Sequence, residues 1–196
     1  MNKSFLSLAA AAAMLLGATS ANAVVYTFNA TLNSANEVSP VSASIATGLA
    51  TLSYDTADNT YDFSMSVFGL SGGSSGKAAN GFHIHGAATT SQNGPVRVFL
   101  DAAPFLALNA GSTLLVGGNN VAAPVFVTGN GSYPVMSFID MLRGGLTYVN
   151  VHTTLNSGGA VRGQLIEVTA VPEPSTYAML LAGIAALGFV ARRRQS

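Results

Sequence analysis

Between two apolar runs at the ends of the chain, hydrophobic and polar positions alternate in short blocks. Val25-Tyr26-Thr27-Phe28-Asn29-Ala30-Thr31-Leu32 alternates with a period near two, the mark of a strand with one buried face. The same pattern predicts strands over 47–54 and 61–68, joined as a hairpin by the polar turn Asp55 to Asn59. Further strands are expected over 81–85 and 95–100, with weaker runs around Leu114 and Val125. Residues 146–153 and 161–168 close the series, joined by the tight turn Asn156-Ser157-Gly158-Gly159. Ser137 to Arg143 reads as a short helix, with Ser137 placed to cap it and Gly144-Gly145 to stop it. Many short strands at this spacing indicate an all-β fold, an antiparallel β-barrel or sandwich. No internal repeat at a solenoid or propeller period is present.

The two terminal runs have other meanings. Lys3, the apolar stretch Phe5 to Ala18 and the small-residue site Ala21-Asn22-Ala23 have the three parts of a signal peptide, so residues 1–23 are expected to be removed. No Cys follows that site, so a lipoprotein anchor is not expected. At the other end, Pro172-Glu173-Pro174 precedes an apolar stretch, 177–191, and then Arg192-Arg193-Arg194. Fifteen helical residues span only about 22 Å, short of a hydrocarbon core of about 30 Å. Snorkelling arginines and a Tyr at the far interface narrow that gap, so a C-terminal transmembrane helix is expected. The arginines belong on the cytoplasmic side, which leaves residues 24–170 outside.

Within 24–170 the basic residues are Lys77, Arg97, Arg143 and Arg162; the acidic ones are Glu37, Asp55, Asp58, Asp62, Asp101, Asp140 and Glu167. That mildly acidic balance offers no basic patch, so no nucleic-acid partner is expected. With no Cys in the chain, disulfides and thiol chemistry are excluded, and stability must come from the core or a metal.

The chain has only three histidines, His83, His85 and His152, and they sit in two expected strands. His83 and His85 would face the same way, roughly 6–7 Å apart. Three neutral imidazoles with an open fourth position would suit copper or zinc, provided the late strand lies beside the early one. A ligating His usually gives its other N–H to an oxygen; Asp101, Asn150 and Asp140 are candidates. The alternative is that the rings hydrogen-bond within the fold and hold no ion. Other motifs carry less. Gly69-Leu70-Ser71-Gly72-Gly73 fits a nucleophile elbow, but a flexible Gly/Ser loop follows where a helix is needed. The same loop lacks the first Gly of a P-loop, and Ala78 follows Lys77 where Ser or Thr should stand. Asp55, Asp58 and Asp62 lack the spacing of a calcium loop and read as turn residues.

Several segments resemble a known family. Asn36-Glu37-Val38-Ser39-Pro40-Val41, Thr47-Gly48-Leu49-Ala50-Thr51-Leu52, His83-Ile84-His85-Gly86, Asn93-Gly94-Pro95-Val96, Tyr148-Val149-Asn150-Val151-His152-Thr153 and Gly159-Ala160-Val161-Arg162-Gly163-Gln164-Leu165 resemble, in order, the CHRD domain of chordin and of microbial exported proteins. The resemblance implies an immunoglobulin-like β-barrel. Residues 102–132 are poor in its signature. A more distant likeness is to the copper/zinc superoxide dismutase barrel. It implies that His83, His85 and His152 match copper ligands and that Arg162 matches an anion-guiding Arg. The bridging fourth His, the zinc cluster and the disulfide have no counterpart, so the complete dismutase site is absent.

The tail, 171–196, is similar to the PEP-CTERM sorting signal, carried by Pro172, Glu173, Pro174, the apolar stretch and Arg192, Arg193 and Arg194. That likeness implies processing by an exosortase-type peptidase. The precursor would be held in the inner membrane and the product delivered to the cell surface or beyond. The expected protein is thus an exported binding or structural module whose partner is an extracellular protein, an exopolysaccharide or sister copies. A copper- or zinc-binding domain, with weak redox activity, is the alternative. No turnover reaction is expected.

Overall fold

The structure is a computed structural model that describes residues 24–38, 42–129, 131, 133–168, 180–185, 187 and 192. Ten strands form one antiparallel sheet. They are β1 (Val25–Asn33), β2 (Thr47–Asp55), β3 (Thr60–Phe68), β4 (Gly81–His85), β5 (Val96–Phe99), β6 (Leu106–Ala110), β7 (Thr113–Ala122), β8 (Tyr148–His152), β9 (Val161–Gln164) and β10 (Ile166–Glu167). The order across the sheet is β5-β4-β8-β9-β1-β2-β3-β7-β6, with β10 beside β1. The sheet curls into a half-barrel whose edges, β5 and β6, are not paired with one another. The all-β expectation holds, in this open form.

Period-two alternation sets the layers. Phe28, Leu52, Phe63, Ile84, Leu114, Val149, Val151 and Val161 face inward and are buried. The single described α-helix of the domain, α1 (Phe138–Arg143), plugs the concave side with Phe138, Met141 and Leu142. The Phe138 ring lies 5.7 Å from that of Tyr61. As its sequence predicts, α1 is capped by Ser137, whose side chain accepts from the Asp140 N–H. Gly145, at φ 63°, ends it in a conformation that favours glycine.

The Asp55–Asn59 turn joins β2 to β3 as expected. Asp55 accepts from the Ala57 N–H and Asp62 from the Asn120 N–H, so turn and loop chemistry occupies two of those three aspartates. The 161–168 run is broken at Leu165, which is buried and donates its N–H to Thr147; Ile166 and Glu167 then pair with β1. Strand β6 was not legible in the pattern. Around Val125 there is only an isolated bridge, Val127 to Met136.

The 1–23 segment, Pro172, Glu173, Pro174, Arg193 and Arg194 lie outside the described residues. Within 177–191, residues 180–185 and 187 are helical, and Leu180, Leu181, Ile184 and Leu187 are exposed. No helix among the described residues is long and apolar enough to cross a membrane.

A candidate three-histidine metal centre

The site is set by the register of β4 against β8, which pairs Gly81 with His152, His83 with Asn150 and His85 with Tyr148. Paired residues share a face, so His83, His85 and His152 all leave the sheet on the side opposite Phe82, Ile84, Val149 and Val151. Gly81, opposite His152, has no side chain, and the His83 ring leans over it: a Cβ there would sit 3.2 Å from His83 Cε1. Each histidine offers one nitrogen, and the three lie within 4.8 Å of one another. Points so spaced fit within about 2.8 Å of a common centre, against metal–nitrogen bonds of about 2.0–2.1 Å. A closure of under 1 Å, within reach of side-chain rotation, would complete a coordination sphere.

Two rings are held by backbone carbonyls. His85 Nδ1 donates to Gly94 O at 2.9 Å, and His152 Nδ1 donates to Ser157 O at 3.0 Å. A carbonyl only accepts, so in both rings Nε2 carries the lone pair. Of Asp101, Asn150 and Asp140, none takes an imidazole N–H from these two rings. Asn150 donates to Glu37, and Asp140 accepts from Ser137. Turn carbonyls do that work, and nothing in the sequence shows which turn will fold over which ring. His85 Nε2 and His83 Nδ1 are buried without a hydrogen-bond partner.

Burial lowers the basicity of all three rings. His85 drops to about 4, chiefly through desolvation, with the charges of His83, His152 and Arg162 adding to it against the Gly94 carbonyl. Desolvation also lowers His83, helped by His152 and opposed by Asp101. His152 is lowered by burial against the Ser157 carbonyl. Near neutral pH the rings are uncharged and their lone pairs available.

Arg162, the residue that the dismutase likeness matches to an anion-guiding Arg, is held under the 86–95 loop. It is 1% exposed and lines, with Glu37, Ser91 and Gln164, a cavity open at the surface. Its guanidinium donates to Asn93 Oδ1, Thr89 O and Gln92 O, pinning the 86–95 loop over the sheet. It also lies 3.4 Å from the centre of the Tyr148 ring, which stacks on His85 at 4.9 Å and 9°. A buried cation–aromatic–imidazole column therefore backs the site. Behind it Glu37, 8% exposed, accepts from Asn150, and desolvation raises its carboxyl to about 7 despite Arg162 and Asn150. Tyr148 and Glu37 lie inside the motifs that the sequence supplies, but only the β8–β9 register reveals that they stack behind the histidines. The Gly69–Gly73 segment is a loop followed by the 3-10 turn Ser74–Gly76, not by the α-helix an elbow needs.

A sequence model of the CHRD domain matches residues 28–165, most of the chain. The chain belongs to the CHRD-domain family. A model of the PEP-CTERM protein-sorting motif matches residues 170–194. The CHRD protein is accordingly an exported one, made as a membrane-anchored precursor for exosortase sorting and delivered to the cell surface. No curated protein and no solved structure matches the chain.

Proposed function

We propose that this surface-sorted CHRD domain is a binding module that holds a transition-metal ion, copper or zinc, through His83, His85 and His152. The observation that carries this reading is the convergence of one nitrogen from each of the three rings within 4.8 Å, beside a His85 Nε2 that is buried without a partner and whose tautomer Gly94 fixes. A buried acceptor without a partner costs on the order of 1–3 kcal/mol, and an ion shared by three rings removes that cost. Three neutral nitrogen ligands leave a coordination position open for water or an exogenous ligand. Copper would add redox capacity at that position. Arg162 and Tyr148 act here as positioning residues, holding His85 from behind.

The test is metal analysis of the exported protein as recovered, followed by copper and zinc titration after chelation. One equivalent is expected, with affinity lower by roughly a hundredfold or more in His85→Ala and in His152→Ala, since losing a ligand costs at least as much as the roughly 10–100-fold of losing a ligand's hydrogen-bond partner. Absence of uptake, or uptake in both variants unchanged from the parent, refutes the reading.

A further inference from the structure

The half of the sheet away from the histidines leaves its outer face bare. The register places Leu49, Ser66, Leu115 and Leu108 in one row across β2, β3, β7 and β6. A flanking row runs Thr51, Ser64, Gly117 and Leu106; on the other side Thr47 stands beside Phe68. Ile45 is 88% exposed just before β2, Leu106 is 81% exposed and Leu49 62%. Phe68, Leu108 and Leu115 are exposed as well. At roughly 200 Å² for a fully exposed large apolar residue, these six side chains offer about 750 Å². The largest apolar patch of a typical monomer is about 300–600 Å².

Its chemistry narrows the occupant. No charged residue lies in these rows; Asp62 stands on the same face one row beyond Ser64, and Asp55 at the end of β2. None of Lys77, Arg97, Arg143 and Arg162 is on the face, so it lacks the cations with which peripheral surfaces grip anionic lipid. The edge strand β6, Leu-Ala-Leu-Asn-Ala, carries neither the charge nor the proline that usually guards an edge. Rows without charge meet their own copies without like-charge repulsion. The area is close to the roughly 800 Å² that each partner buries in a standard interface.

We propose that this face packs against the same face of a second copy, as a two-fold, sheet-on-sheet dimer. The dimer leaves the histidine half of each sheet free. It does not depend on metal.

The chain has no cysteine, so a single introduced thiol reports from one place. The protein, produced with both terminal signals and displayed at the cell surface, would carry Leu108→Cys or Leu115→Cys, with Ser91→Cys on the loop over the other half as control. After treatment with a short bismaleimide, covalent dimer should form roughly tenfold more at 108 and 115 than at 91. Adding Leu49→Lys with Phe68→Lys should abolish that excess, while purified variants keep the circular-dichroism spectrum of the parent. Equal yields at the three positions, excess yield that survives the lysines, or adducts to a different protein in place of dimer would each overturn the proposal.

Discussion

Replacing Glu37 by Gln should change how stability depends on pH more than it changes the fold. Glu37 is buried, with one oxygen unpartnered and the other accepting from Asn150, and its carboxyl is raised from 4.5 to about 7. In the unfolded chain the proton leaves near 4.5; in the folded protein it stays to about 7. Between those values the folded state binds more protons, so this group destabilises the fold progressively as pH rises. The histidines act in the opposite sense. His85 is lowered from 6.5 to about 4, so below 6.5 the unfolded state takes the extra proton, and stability falls with acidification down to about 4. His83 and His152 shift the same way. In the parent protein the two slopes oppose each other between about 4.5 and 6.5. Gln preserves shape and the acceptor for Asn150 but has nothing to ionise. At about 1.4 kcal/mol per pH unit the Glu37 contribution reaches about 3 kcal/mol, and water entering the adjoining cavity reduces it to roughly 1–2 kcal/mol. The variant and the parent should therefore be equally stable near pH 4.5, and Glu37→Gln more stable by that amount at pH 7.5. Urea unfolding of chelated protein, followed by far-ultraviolet circular dichroism at half-unit pH steps, measures the difference. Parallel curves across the range would refute the reasoning.

Three further expectations follow from the same layer and from the tail. Gly159 sits at φ 137°, and a Cβ there would come 2.4 Å from Glu37 Oε1, so Gly159→Ala should destabilise by about 2–3 kcal/mol and lower the melting temperature by several degrees. Arg162→Met leaves three oxygens of the 86–95 loop without their donor; a loss of about 3 kcal/mol and faster amide exchange over 87–94 are expected, and unchanged exchange would remove Arg162 from its pinning role. Mass spectrometry of the surface form should find the chain ending near Pro172-Glu173-Pro174, and an intact C-terminus would contradict processing.

Much of the fold is legible because each strand has one buried face. The hairpin at Asp55–Asn59, strand β4 and the Ser137-capped helix all carry their signals within a dozen residues. Strand β6 does not: Leu106, Ala107 and Leu108 are all exposed and the polar Asn109 alone is half-buried, so no buried apolar face marks it. The site is half legible. Spacing puts His83 and His85 on one face, but that His152 joins them depends on a pairing between distant segments. That Arg162 pins the 86–95 loop is hidden for the same reason. Its sequence motif says nothing of the loop that folds over it.

The β4–β8 register has one more consequence. Residues 83 and 152 lie about 70 positions apart in a chain that has no cysteine. An ion held between them would close a loop of that length, as a disulfide does, and would favour the native chain by restricting the unfolded one. Outside the cell, where proteases act on transiently opened chains, such a fastening could be put in and taken out by the metal supply alone. The domain's lifetime at the surface would then track the concentration of its ion.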